Sequence, residues 1–185
     1  MYIYIIIGII VLVVLWAILA YNGFVRKVNH VTEAWSDIDV QLKRRYDLVP
    51  NLVNTVKGYA THEKTVFDDV TRARAAAMGA GSLSSKATAE DGLSGALKSV
   101  FAIAENYPEL KANQNFLDLQ NTLSDTEDKI QSARRFYNST VMDLNTAAAS
   151  FPGNLIAKNF GFQKKEFFGL DASDAAAKNP VNVQF

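Results

Sequence analysis

A histidine next to a glutamate is the first place to look for chemistry in this 185-residue chain. His62 and Glu63 are adjacent, as they are in a helical zinc site of the HExxH type, which needs a second histidine one turn later. Val66 and Phe67 stand where that second histidine would be needed. We therefore predict a surface or helix-cap histidine at position 62, and not a metal ligand.

Two short acidic groups are candidates for calcium or magnesium: Asp68 with Asp69, and Asp125 with Glu127 and Asp128. A divalent-cation loop needs oxygen ligands around a tight turn that contains glycine. Both groups instead fall within a helical period. We interpret them as solvated helix faces and expect no metal site and no cofactor.

Nucleophilic catalysis also lacks its usual residues. The chain has no cysteine, no serine in a GxSxG elbow, and no GxxxxGK[ST] or GxGxxG loop. The only other histidine, His30, follows Arg26 and Lys27 by one helical turn and is interpreted as a solvated side chain. Because a nucleophile without an activating base is poorly supported, the sequence predicts no catalytic residues and a protein that is not an enzyme.

A mixed-charge segment is the strongest candidate for a functional surface. Its polar residues are Asp37, Asp39, Gln41, Arg44, Arg45 and Asp47. Both signs of charge occur there on several helical faces, which is more than one packing seam requires. Two interpretations stay open: a solvated helix with ion pairs inside a bundle, or a surface that binds another protein.

An apolar leader precedes these residues. None of the first 25 residues is charged, and all 19 basic and 19 acidic residues follow it. The stretch 1–21 is about 20 residues long and apolar throughout, so as a helix it crosses roughly 30 Å of hydrocarbon. Aromatic residues lie toward its ends, as is typical of membrane interfaces: Tyr2, Tyr4, Trp16 and Tyr21.

We expect this leader to be retained as a single-pass anchor in the cell membrane. A cleaved signal peptide needs a basic start and small residues at the cleavage site, whereas no basic residue precedes Arg26 and the best site is Ile18-Leu19-Ala20. The basic residues after the span predict an N-terminus outside and a cytoplasmic C-terminal domain. A periplasmic domain is the alternative.

Apolar residues beyond the anchor recur at helical spacing in segments that the four prolines are predicted to separate. The first segment continues the anchor to about Val49, with a kink near Pro50. A loop is expected over 80–85, a shorter helix over about 88–106, and a helix of about 40 residues after Pro108. Roughly half of that last helix would extend past its shorter neighbour, which favours a homo-oligomer.

The predicted fold class is all-α: an N-terminal transmembrane helix followed by an elongated antiparallel four-helix-type bundle with long, kinked helices. Residues 151–171 show no sustained helical period and are predicted to form an aromatic strap. The domains are expected to be an anchor over 1–25, a helical domain over 26–171 and a flexible tail over 172–185.

Two segments carry a family resemblance. AWSDIDVQLKRRYDLVPNLVNTVKGYATHE, residues 34–63, resembles the opening signature of bacterial LemA-like proteins, and residues 107–145 resemble their second signature. The pairs Phe151-Pro152 and Phe167-Phe168 are similar to the C-terminal pattern of that family. The resemblance implies an N-terminally anchored, all-helical cell-envelope protein without an established catalytic activity.

We therefore expect a non-catalytic membrane-anchored scaffold or assembly protein that self-associates or holds partner proteins. The alternative is an accessory or sensor subunit of an envelope protease or stress-signalling system. The expected partners are the lipid bilayer, further copies of the chain and another membrane protein. A formal net charge of zero argues against nucleic acid, because phosphate binding needs a basic excess.

Overall fold

A computed structural model describes residues 1–169, so the predicted tail over 172–185 lies outside the described residues. The described chain contains six α-helices and no strand, which confirms the all-α prediction. The helices are α1 (Tyr2–Lys57), α2 (Lys64–Gly79), α3 (Leu83–Ala104), α4 (Pro108–Lys111), α5 (Gln114–Ala149) and α6 (Gly153–Phe160).

Helix α1 is a single helix of 56 residues that includes the whole apolar leader, as predicted. It also contains Pro50, so the prediction that every proline separates helical segments is wrong at this position. Proline removes one backbone hydrogen bond and crowds the preceding turn. Val49, Leu52 and Val53 are buried around it, and this packing holds the helix together as far as Lys57.

Two compact units divide the chain. The bundle unit contains Ile38–Arg134 and the described residues from Phe167 onward. The N-terminal unit contains Met1–Asp37 and Arg135–Glu166. Helices α1 and α5 contribute residues to both units.

The bundle unit contains the C-terminal part of α1, helices α2, α3 and α4, and the first part of α5. Lys57 of α1 lies over the ring of Phe67 in α2, with its Nζ 5.6 Å from the ring centroid. Farther along, Nε of Arg74 donates to the backbone oxygen of Tyr46 at 2.7 Å, so α2 runs antiparallel to α1. Apolar residues at the predicted helical spacing are buried in this unit, among them Ile38, Leu42, Leu52, Val70, Leu93, Leu97, Leu123 and Ile130.

Helix α3 begins earlier than predicted, at Leu83 instead of about residue 88, and the loop is shorter than 80–85. Ser82 and Ser85 form a reciprocal cap in which each side chain accepts a hydrogen bond from the other's backbone N–H at 3.1 Å. Such a cap satisfies two free backbone donors at the start of a helix. The small polar residues over 82–85, which suggested a loop, therefore form the start of α3.

The N-terminal unit is held by aromatic contacts between the first part of α1 and the end of α5. The rings of Trp35 and Tyr137 meet edge-on with centroids 5.6 Å apart. The hydroxyl of Tyr137 donates to the backbone oxygen of Glu166 at 3.1 Å. Burial is the main cause that raises the pKa of Tyr137, and the nearby Glu166 raises it further, so the hydroxyl remains a donor.

The prediction of an aromatic strap without helical structure over 151–171 is wrong for Gly153–Phe160, because these residues form α6. A Cβ atom at Gly153 would lie 2.7 Å from the backbone oxygen of Ala147, so only glycine allows this close approach. The helix ends at Gly161, whose φ of 75° is the left-handed conformation that commonly terminates helices. The described residues 162–169, which follow α6, form neither helix nor strand.

The buried face of α5 predicts a large effect for Leu123→Asp. Leu123 is buried, and an unpaired carboxylate there costs several kcal/mol, against a typical domain stability of about 5 to 15 kcal/mol. Thermal unfolding of the full-length protein in detergent, followed by circular dichroism, measures the loss. Asp118→Ala is the control, because Asp118 is exposed and its side chain accepts a hydrogen bond from the neighbouring Gln114 of the same helix. Equal melting temperatures for the two variants would contradict the assigned face.

Candidate interaction surface

The six residues of the predicted interaction surface all lie on α1, but the structure does not place them on one face. Asp39, Arg44 and Asp47 are exposed, and Gln41 is half-buried. Asp37 is exposed too, but it belongs to the N-terminal unit. The remaining residue, Arg45, is only 1% exposed, so including it in an exposed surface was wrong.

A shallow groove of about 390 Å³ runs along the exposed side of α1 in the bundle unit. Val40 is 63% exposed at one end of the groove, where charged residues flank it. The lining residues recur at intervals of three and four, as neighbours on one helical face do. They are Val40, Lys43, Arg44, Asp47, Leu48 and Asn51. Two of the six predicted residues, Arg44 and Asp47, therefore belong to one continuous surface.

Arg45 lies at the centre of a buried charge cluster. Its guanidinium group forms ion pairs with the carboxylates of Glu90 in α3 and Glu127 in α5. It also donates to the hydroxyl of Ser94 at 2.8 Å. Glu90 is itself buried, and about a third of the Glu127 side chain is exposed. The interpretation of Glu127 as part of a solvated helix face was therefore wrong.

Tyr46 completes the cluster by donating its hydroxyl hydrogen to Glu90. Burial is the main cause that raises the pKa of Tyr46, and the hydrogen bond to Glu90 raises it further. The phenol thus stays protonated and remains a donor. One oxygen of Glu90 is bound by Arg45 and the other by Tyr46, so both oxygens of this buried carboxylate have a partner within the bundle unit.

A small hollow adjoins the cluster, with a volume of about 290 Å³. Apolar side chains such as Leu97, Phe101 and Leu123 form much of its wall, together with Ser94 and Glu127. Ser94 has no histidine beside it: in residues 1–169 its hydrogen bonds join it to Arg45 and Glu127. The same part of the chain holds no group of three histidine or acidic side chains suited to a metal ion.

The sequence contains a signal for this cluster that the prediction of a mixed-charge surface overlooked. Arg45 follows Leu42 by three residues and precedes Val49 by four, which places it on the apolar face of α1. Glu90 follows Ala87 and precedes Leu93 by three residues, on the apolar face of α3. Charged residues of opposite sign on two inward faces indicate a buried ion pair, because such groups are almost never fully buried unless paired.

These features define a class: proteins with an apolar N-terminal helix that continues into a helical bundle. A family model described as LemA family matches residues 34–185, which is most of the chain. The protein therefore belongs to the LemA family. This confirms the resemblance seen in residues 34–63 and 107–145.

Named relatives are similar to the chain at modest identity. Magnetosome protein MamQ of Magnetospirillum gryphiswaldense is 26% identical over 177 residues, which cover 82% of this chain and 65% of that protein. Magnetosome protein MamQ 2 of Paramagnetospirillum magneticum is 23% identical with the same coverage. Protein LemA of Metamycoplasma hominis is 25% identical over 169 residues, covering 85% and 75% of the two chains. The chain thus spans just under two thirds of the length of the magnetosome relatives.

The buried cluster predicts a large difference between two adjacent arginines. Arg45→Met leaves Glu90 buried without its cation, which costs about 3 to 5 kcal/mol. Arg44→Met removes an exposed charge and is expected to cost no more than about 0.5 kcal/mol. Denaturant unfolding of both full-length variants in detergent measures the two changes.

A second variant distinguishes loss of charge pairing from loss of packing. Adding Glu90→Gln to Arg45→Met removes the unpaired carboxylate while nearly keeping the side-chain volume. We expect the double variant to recover a large part of the lost stability. A double variant as unstable as Arg45→Met, or Arg45→Met as stable as Arg44→Met, contradicts the structural role of the ion pair.

Proposed function

We propose that the protein is a non-catalytic, membrane-anchored assembly protein of the cell envelope, whose copies associate through the exposed groove of α1. The observation that carries this proposal is the continuity of α1. One helix contains the apolar leader and, farther along, the groove with its mixed charges. An anchor and a contact surface on the same helix keep that surface at the membrane.

The apolar leader fits a membrane anchor and does not fit a core helix. Its most apolar 18-residue stretch has a mean hydropathy of 3.1, and none of it is buried by the described residues. A core helix would be covered by its own protein, whereas these side chains need another apolar environment. The helical form is also required in lipid, where each backbone group needs a partner within the segment.

Retention of the leader is supported by the contacts of the residues directly after it. Phe24 is buried, and its ring stacks on the ring of Phe162 with centroids 5.0 Å apart. The helix continues without a break between the leader and this contact. The segment just after the best cleavage site is therefore a folded part of the N-terminal unit.

The groove suits contact between identical chains. In a two-fold contact the same surface serves both partners, so it must complement itself. Lys43 and Arg44 supply positive charge, Asp47 supplies negative charge, and Val40 and Leu48 supply apolar area. Confinement to one membrane also raises the effective concentration of the partners.

Charge reversal in the groove is expected to weaken assembly. Native mass spectrometry of the full-length protein in detergent should give multiples of the 20.4 kDa chain. Lys43→Glu with Arg44→Glu removes the self-complementary charge pattern and should shift the population toward monomer. Lys111→Glu with Lys129→Glu is the control, because both lysines are exposed outside the groove and the net change is the same. A wild-type protein that is only monomeric contradicts the proposal.

The orientation that we propose places the N-terminus outside and the bundle unit in the cytoplasm, because basic residues follow the span closely. Thr61→Cys introduces a single exposed thiol into a chain without cysteine. A membrane-impermeant maleimide added to spheroplasts should label it only after the membrane is opened. Labelling before that step would instead support the periplasmic orientation.

A further inference from the structure

An aromatic cluster ties the end of α6 to α1 where the apolar leader ends. The ring of Phe160 meets the ring of Tyr21 edge-on with centroids 5.0 Å apart. Phe162 lies 5.5 Å from Tyr21 and stacks on Phe24 at 5.0 Å. All four residues belong to the N-terminal unit. The position of α6 along α1 is therefore fixed by direct contacts.

That position coincides with the expected membrane boundary. The helical rise from Tyr2 to Tyr21 is about 29 Å, which matches the roughly 30 Å hydrocarbon thickness of a bilayer. Tyr21 is also the kind of residue that lies at headgroup level. Because Phe160 contacts Tyr21, the C-terminal end of α6 lies at that level too.

Large apolar side chains at α6 have no cover in the described part of the chain. Phe151 is 80% exposed, Leu155 is 50% exposed and Phe160 is 58% exposed. Single exposed apolar residues are ordinary, but a group of them in one short segment marks a contact surface. Their proximity to the end of the membrane span indicates that lipid covers these side chains.

The polar residues of the same segment favour an anionic lipid surface. Lys158, Lys164 and Lys165 are all exposed, and the only acidic residue in 151–166 is Glu166. Basic residues beside exposed aromatic and aliphatic residues are typical of helices that lie in the membrane interface. The chain as a whole is neutral, so this basic excess is local.

The segment after α6 is held in place by hydrogen bonds within its own unit. The side-chain amide of Asn145 donates to the backbone oxygen of Lys165 and accepts from its backbone N–H, both at 2.9 Å. Tyr137 binds the next backbone oxygen, that of Glu166. The basic residues therefore need little further ordering when they meet a surface.

We propose that α6, with the flanking residues 151–165, is a second membrane-contacting element. It lies in the headgroup region and binds an anionic phospholipid surface. The proposal rests on the membrane anchor of the proposed function, because the span sets the height of Tyr21. The aromatic and aliphatic side chains enter the interface, and the three lysines bind lipid phosphates.

Site-specific fluorescence in the full-length protein tests this proposal. A single cysteine is introduced at Leu155, Leu12 or Thr32 of the cysteine-free chain and labelled with the environment-sensitive fluorophore NBD. Leu12 reports on the span itself. Thr32 is the matched control, because it is exposed on α1 about 17 Å beyond Tyr21. The proteins are reconstituted into phosphatidylcholine vesicles that contain phosphatidylglycerol and lipids with a nitroxide quencher at a shallow or a deep position.

We expect NBD at Leu155 to show blue-shifted emission and stronger quenching by the shallow label than by the deep one. NBD at Leu12 should be quenched by the deep label, and NBD at Thr32 by neither label. If NBD at Leu155 is unquenched, as expected at Thr32, while NBD at Leu12 is quenched, the α6 proposal is overturned and the membrane anchor is still supported. An unquenched Leu12 overturns the anchor itself. A blue shift at Leu155 without lipid quenching means that protein covers this surface, and it also overturns the proposal.

The lysines are tested with Lys158→Gln, Lys164→Gln and Lys165→Gln combined. The preference of the segment for phosphatidylglycerol over phosphatidylcholine, taken from the quenching at Leu155 by a shallow nitroxide on each lipid in turn, should fall by about fivefold for each lysine, which corresponds to about 1 kcal/mol apiece. The effect should vanish in vesicles of phosphatidylcholine alone. Lys111→Gln with Lys129→Gln serves as the control outside the segment. Equal quenching for the triple variant and the control would overturn the electrostatic contribution.

Discussion

The burial of one arginine constrains the bundle unit more than any other single interaction. Arginine is a charged residue, and a buried guanidinium group such as that of Arg45 must therefore be paired. The carboxylates of Glu90 and Glu127 reach it from α3 and α5, and thus three helices meet at fixed heights. Helices that meet only through apolar side chains can shift along each other, whereas the charges of Arg45 and its partners meet in only one register of the helices.

The second constraint acts along α1. In the membrane its backbone must be helical, and beyond the membrane its apolar face is buried in the two units. The same helix therefore carries the anchor, the aromatic contacts at Tyr21 and Phe24, and the groove around Lys43. Within the described residues, the polar groups that look most like a site serve this architecture: Arg45 and Glu90 neutralise each other, and Tyr46 occupies the remaining oxygen of Glu90.

Periodicity predicted much of the fold, since the apolar first part of α1, its continuation beyond that part and the buried face of α5 all follow from apolar spacing. Its errors have physical causes. Pro50 remains in α1 because packing on both sides outweighs one lost hydrogen bond, and α3 starts early because two serines cap it. The charge cluster around Arg45 was harder to predict from the sequence. The ion partners of Arg45 lie 45 and 82 residues away in sequence, and only folding brings them together. Helix α6 was not predicted, because its eight residues are too few to show a sustained helical period.

The proposed function depends on contact between copies of the chain along the exposed face of α1. Crosslinking in intact membranes tests this contact directly when cells co-express heavy-isotope-labelled and unlabelled copies and the joined peptides are identified by mass. The contact predicts lysine crosslinks at Lys43 that join a labelled peptide to an unlabelled one. Crosslinks that occur only within single chains, or that join Lys43 only to unrelated proteins, would contradict self-association through α1.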